Sequence, residues 1–164
     1  MKIIPIIPMS KTQAATVCGT LTSTSKMPCK SYSLPTEACK TGFRWHDSGD
    51  LQSLEHFEKI VAVCLETMLT LHWLPTREYN IIKAFIEKHG KNAIPKNLTV
   101  RLSAMYPDKP VTVPVSLQNV PNVTVSNVHT SKPMGNVCKA PAQNGECKDC
   151  RLCWSNAVVS YALH

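Results

Sequence analysis

Residues 43–75 read FRWHDSGDLQSLEHFEKIVAVCLETMLTLHWLP, and this stretch decides the fold. FRWH is a short β-type run that stops at the turn-forming DSGD. Leu51, Leu54, Phe57, Val61, Cys64, Leu65 and Met68 then recur at three and four residues. That stripe belongs to a helix packed on a sheet, and Asp50 is placed to cap its start. LHWLP (Leu71 to Pro75) reads as the next strand, closed by Pro75. Working outward, Thr76 is placed to cap a second helix that carries Tyr79, Ile82, Phe85 and Ile86 and stops at Gly90 behind Lys88 and His89. After the loop KNAIPKN, LTVRLSA is a third strand rich in branched residues. The order is β-α-β-α-β. Helical crossovers of this length imply parallel strands lying side by side, with right-handed connections, in an α/β sheet.

Beyond Met105 the helical period disappears. YPDKPVTVPVSLQNVPNVTVSNV holds four prolines and repeated valines, which suits edge strands and loops, with VTVSNV the best further strand. NAVVSYALH ends the chain as a last short strand candidate. The expected organisation is one domain in three parts: an irregular basic segment over 1–42 with room for one strand, an α/β core over 43–137, and a cysteine loop with a terminal strand over 138–164.

The loop GNVCKAPAQNGECKDCRLCW places Cys138, Cys147, Cys150 and Cys153 at C-x8-C-x2-C-x2-C spacing. Thiolates two residues apart turn inward on one tight loop, and the longer arm, softened by Pro141 and Gly145, folds a fourth back to the same point. The spacing points to one zinc ion or an iron-sulfur cluster and leaves the choice open. The competing readings are two disulfides or four idle thiols; adjacent C-x2-C pairs bridge poorly, and no secretory signal accompanies them. Lys139, Lys148 and Arg151 surround the site and offset thiolate charge. Cys18, Cys29 and Cys39 are spaced too widely to read, while Cys64 belongs to the helical stripe and hence to the core.

With 164 residues, 43 % hydrophobic and 18 % charged, the chain can build a real core. MKIIPIIPM is broken by Pro5 and Pro8 and is too short to span a bilayer, so a soluble protein of a reducing cytoplasm is expected. Net charge is +7, and residues 1–42 hold Lys2, Lys11, Lys26, Lys30 and Lys40 against Glu37 alone. A basic balance favours an anionic partner, nucleic acid or a phosphorylated small molecule, although solubility alone would also account for it.

Ligands of parallel α/β sheets gather beyond the carboxyl ends of the strands. The first strand runs out into His46, Asp47 and Asp50, the second into Arg77 and Glu78, and the third carries Arg101. As a candidate site, Arg77 and Arg101 suit a phosphate or carboxylate, and His46 with Asp47 suits proton transfer. The duller readings are helix capping for Asp50 and Thr76, a satisfied buried ring for His46, and a first helical turn at the surface for Arg77 and Glu78. Arg101, inside a strand, must face solvent or pair, and Asp47 or Asp50 on a neighbouring strand end is the expected partner.

Taken in order, SKMPCKSYSLPTEACKTG, FRWHDSGDLQSLEHFEKI, HWLPTREY, NLTVRLSA and CKAPAQNGECKDCRLCW resemble the gene product 88 family of uncharacterised bacteriophage proteins. The resemblance covers most of the chain. It implies a phage protein, acting in the host bacterial cytoplasm, on a β/α-barrel-like scaffold distantly similar to radical S-adenosylmethionine enzymes. Members of that family carry a segment with a C-x2-C-Y-A motif between KTG and FRWHDSGD; here Gly42 abuts Phe43. The chain therefore looks like a shortened member with a partial barrel. It is either an enzyme or enzyme remnant acting on nucleotides or nucleic acid, or a non-catalytic zinc module that binds nucleic acid or a host protein.

Overall fold

The computed structural model describes residues 41–46 and 48–163. The basic segment up to residue 40, with Cys18, Cys29 and Cys39, lies outside them, as does Asp47. Six strands form one sheet, curled into a half-barrel: β1 (Thr41–Arg44), β2 (Thr70–Thr76), β3 (Leu98–Ser103), β4 (Val123–His129), β5 (Asn136–Val137) and β6 (Val159–Ala162). Their order is β1-β2-β3-β4-β6-β5, and every neighbouring pair is parallel. Helices α1 (Leu54–Glu66) and α2 (Tyr79–His89) connect the first three strands. The β-α-β-α-β reading is therefore observed.

Two expectations are corrected. The N-cap of α1 is Ser53, whose hydroxyl accepts the His56 N–H, and Asp50 serves elsewhere. VTVSNV is not at an edge: β4 lies between β3 and β6, because Pro107, Pro110, Pro114 and Pro121 all precede the strand and leave its ladder groups free to pair.

Strict alternation sorts the strands into two faces. Leu74, Leu98, Val100, Leu102 and Val125 meet Phe57, Ile60, Val61, Cys64, Ile82 and Phe85 of the helices in the main core. Phe57 and Phe85 join the helices edge to face at 4.7 Å between ring centroids. Burial at about 25 cal/mol per Å² of apolar area makes this face the chief source of stability. The intervening residues, Trp73, Thr99, Arg101, Thr124 and Val159, are buried as well. Burial on both faces is expected of a parallel sheet, yet among the described residues neither α1 nor α2 packs on this second face. Residues 138–157 cover it.

The contacts across that second face are specific. Thr99 Oγ1 donates to the Trp154 carbonyl at 3.1 Å and Thr124 Oγ1 to the Asn156 carbonyl at 3.0 Å. Trp154 Nε1 reaches back across the sheet to the Phe43 carbonyl at 3.1 Å. Trp73, Cys153 and Val159 form a second apolar cluster, with Cys138, Leu152, Trp154 and Tyr161 packed against it. Asn97, buried, closes the opposite end of the sheet: its side-chain amide reaches the Cys64, Thr67 and Thr70 carbonyls at 2.8, 3.1 and 3.0 Å.

Candidate functional site

Arg101 is fully buried beneath the cysteine loop. Its Nη1 donates to the carbonyls of Val125 (2.9 Å) and Ala157 (2.7 Å). Its Nη2 reaches those of Ser155 (2.8 Å), Leu152 (3.2 Å) and Cys153 (3.4 Å). Neither Asp47 nor Asp50 is the partner that a charge in LTVRLSA demanded; the peptide carbonyls of the chain's own tail supply it. Those carbonyls carry only partial charges, but five of them engage both terminal nitrogens of the guanidinium and offset part of its burial cost, while Nε is buried without a partner.

Asp50 is likewise engaged. Its Oδ1 accepts from Thr76 Oγ1 and from the Leu51 N–H (2.7 Å), and Oδ2 accepts from the Arg77 N–H (2.7 Å). The carboxylate thus ties the β1–α1 turn to the end of β2. Thr76 Oγ1 accepts in turn from the Glu78 N–H at 3.0 Å, so Thr76 supports the start of α2 while Glu78 occupies the N-cap position. The side chains of Arg77 and Glu78 are exposed.

His46 is the rim residue whose chemistry is left over. It sits just past β1 at φ 55°, a left-handed conformation uncommon for a residue with a side chain. Both ring nitrogens are buried and neither makes a hydrogen bond of ordinary geometry. The ring tilts against His56 at 5.4 Å between centroids. Burial, and then the charge of His56, lower the pKa of His46 below the ordinary histidine value. The rim therefore brings together His46, Asp50, Arg77 and Glu78 at the ends of β1 and β2, whereas Arg101 points to the other face.

The four cysteines of the loop are free thiols. They lie within electrostatic reach of one another: Cys138 and Cys150 act on Cys147, and Cys138 and Cys147 act on Cys153. Burial is the larger cause, and it pushes the Cys153 thiol up to about 11. Cys153 Sγ stands 3.1 Å from the Tyr161 hydroxyl, and burial raises that hydroxyl too. Cationic groups are close. Arg44 stacks over Trp73 at 5.1 Å and is felt at Cys147, while Arg151 stacks over Trp154 at 5.8 Å and donates to the Lys148 and Cys150 carbonyls at 2.6 and 2.8 Å. Among the described residues no three His, Cys, Asp or Glu side chains are grouped as a bound ion would require. The donor set has the chemistry for zinc or a cluster, but its sulfurs are not drawn to one point.

Sequence reasoning missed His72, buried on β2. Thr67 Oγ1 donates to the Val63 carbonyl (2.6 Å) and so accepts the His72 Nε2–H (2.8 Å). Nδ1 is left buried without a partner, and burial lowers the pKa to about 4. It also missed His129 Nδ1 against Ser160 Oγ at 2.7 Å. A polar residue inside an apolar strand was the available signal in both cases.

The fold and the loop define a class: a parallel α/β half-barrel whose second face is covered by a cysteine-bearing tail. A family model described as Gene product 88 matches residues 29–156, and the chain belongs to that phage family. No curated protein and no solved structure matches it. Among the described residues, no helix is long and apolar enough to cross a membrane.

Proposed function

We propose that this chain is a metal-stabilised binding module rather than a working enzyme, with Cys138, Cys147, Cys150 and Cys153 holding one zinc ion. The observation that carries the reading is the Arg101 clamp. A buried arginine spent on five carbonyls, four of them within residues 152–157, serves to seat the cysteine loop on the sheet. A structural zinc of four thiolates would finish the same task by joining the two arms of the loop. Of the six rim candidates His46, Asp47, Asp50, Arg77, Glu78 and Arg101, two are committed to protein groups, which supports a scaffold over a reaction centre. The net charge of +7 favours an anionic partner, either nucleic acid or a phosphorylated small molecule, over an acid-poor host surface.

One observation favours the second reading, an enzyme or enzyme remnant acting on nucleotides with an iron-sulfur cluster in the same loop. His46 has buried, unpartnered nitrogens at the carboxyl end of a parallel strand, where general acids and bases sit. Metal analysis of protein purified without oxygen separates the two. Colourless protein with one zinc per chain is expected. Brown protein with iron and acid-labile sulfide would favour the enzyme, and metal-free protein would overturn both.

A further inference from the structure

We propose that Tyr161 is the positioning residue of the cysteine centre: its hydroxyl donates to the thiolate of Cys153 and makes Cys153 the fixed ligand onto which the rest of the loop closes. The inference rests on the reading of the loop as a zinc site and adds to it a residue outside the cysteine spacing.

The four thiols are not equivalent. Cys153 is 5 % exposed, whereas Cys138, Cys147 and Cys150 are half-buried. Cys153 lies in the 3-10 turn Leu152–Trp154, and its carbonyl is among those that Arg101 holds. Cys138 directly follows β5, and its N–H donates to the Ser160 carbonyl at 2.9 Å, which ties it to β6 beside Tyr161. Cys138 and Tyr161 both pack against the apolar cluster that contains Cys153. Cys147 and Cys150 instead belong to a local turn, closed by the Cys150 N–H on the Cys147 carbonyl at 2.8 Å. One half of the donor set is therefore built on the sheet and the other on the loop itself.

Tyr161 is fixed by the sheet. It sits on β6 opposite Val128 of β4, and its ring stacks on Trp73 at 6.4 Å between centroids and 14° between planes. Its hydroxyl stands 3.1 Å from Cys153 Sγ, and among the described residues that sulfur is its hydrogen-bond partner. A core tyrosine merely satisfied by a thiol would be poorly served, because a neutral thiol is a weak donor and a weak acceptor. A thiolate carries no proton and accepts fully, so metal binding by Cys153 fixes the phenol as donor and turns a weak contact into a charge-assisted bond. Hydrogen bonds of this kind orient a metal ligand and tune its donor strength.

Cobalt(II), which reports on thiolate sites through its absorption bands, tests the assignment on the full chain, with zinc affinity read by competition against a chromophoric chelator. Tyr161→Phe keeps the ring and its stacking and removes only the oxygen. Zinc should bind about 10- to 100-fold more weakly, and the sulfur-to-cobalt charge-transfer bands should move to longer wavelength, because a hydrogen bond lowers the energy of the sulfur lone pairs. The effect must pass through one sulfur: it should persist in a Cys150→Ser background and vanish in Cys153→Ser. Unchanged affinity and bands in Tyr161→Phe, or an equal effect in the Cys153→Ser background, would overturn this inference and leave the zinc reading standing. A parent chain that takes up neither zinc nor cobalt would overturn both.

Discussion

Replacing Arg101 by Met keeps the length and much of the volume of the side chain but removes every donor. Three of the five bonds are 2.9 Å or shorter, to Val125, Ala157 and Ser155. A hydrogen bond to a charged group contributes about 1.5–3 kcal/mol net, so these three account for about 4–9 kcal/mol. Relief of the desolvation cost of a buried cation returns several kcal/mol, and a net loss of about 3–5 kcal/mol is expected. Because four of the five carbonyls belong to residues 152–157, the damage should begin in the loop. Trp154 and Trp73, which meet at 5.6 Å, report on it. Urea unfolding followed by tryptophan emission should show an early transition, or a lowered midpoint, relative to far-ultraviolet dichroism. Arg101→Lys should recover only part, since an ammonium has three donors and no fork. A Met variant within about 0.5 kcal/mol of the parent, the scatter of ordinary surface substitutions, with unchanged tryptophan emission would refute the clamp.

Three further outcomes follow from the same geometry. His72 has a folded pKa of about 4 against an ordinary 6.5, so the unfolded chain takes up its proton first as pH falls. Stability attributable to this group is intact above pH 6.5 and is lost towards pH 4, by about 3 kcal/mol; His72→Leu should flatten that part of the urea-midpoint profile, and an identical slope in both proteins would contradict it. Asp50→Ala removes acceptors from Thr76, Leu51 and Arg77 and should cost about 2–3 kcal/mol of unfolding free energy, while a loss of ligand binding at unchanged stability would return Asp50 to a functional role. A Cβ at Gly42 would stand 2.9 Å from Trp154 Cε2, so Gly42→Ala should displace the indole and cost about 1–3 kcal/mol, read as a lower thermal midpoint with altered near-ultraviolet dichroism; an unaltered spectrum would mean that the indole is not packed there.

The elements around residues 43–103 were legible because each is local: a stripe at three and four residues, a cap, a branched run. What pairs across the chain was not. Asp50 precedes an apolar stripe and so resembles a cap, but its distant partners lie at the end of β2 and just past it, 26 and 27 residues away. Arg101 advertised that it needed a partner, yet nothing in LTVRLSA says that the partner is main chain 51–56 residues later. The prolines before β4 lowered its apparent rank, although none interrupts it. One signal was available and unused: Leu98, Val100 and Leu102 alternate with Thr99, Arg101 and Ser103, so a polar set had to be covered by something other than a helix. The cysteine spacing was visible at once, and what it could not reveal is that the loop lies over that polar set.

Arg101 clamps the cysteine loop over the second face of the sheet, and under the proposed function a four-thiolate zinc closes it there. X-ray absorption at the zinc edge, on protein purified from cells and washed free of loose metal, measures this directly. Four sulfur neighbours at about 2.3 Å are expected, falling to three in Cys150→Ser. A shell of nitrogen and oxygen, or no zinc at all, would contradict the account.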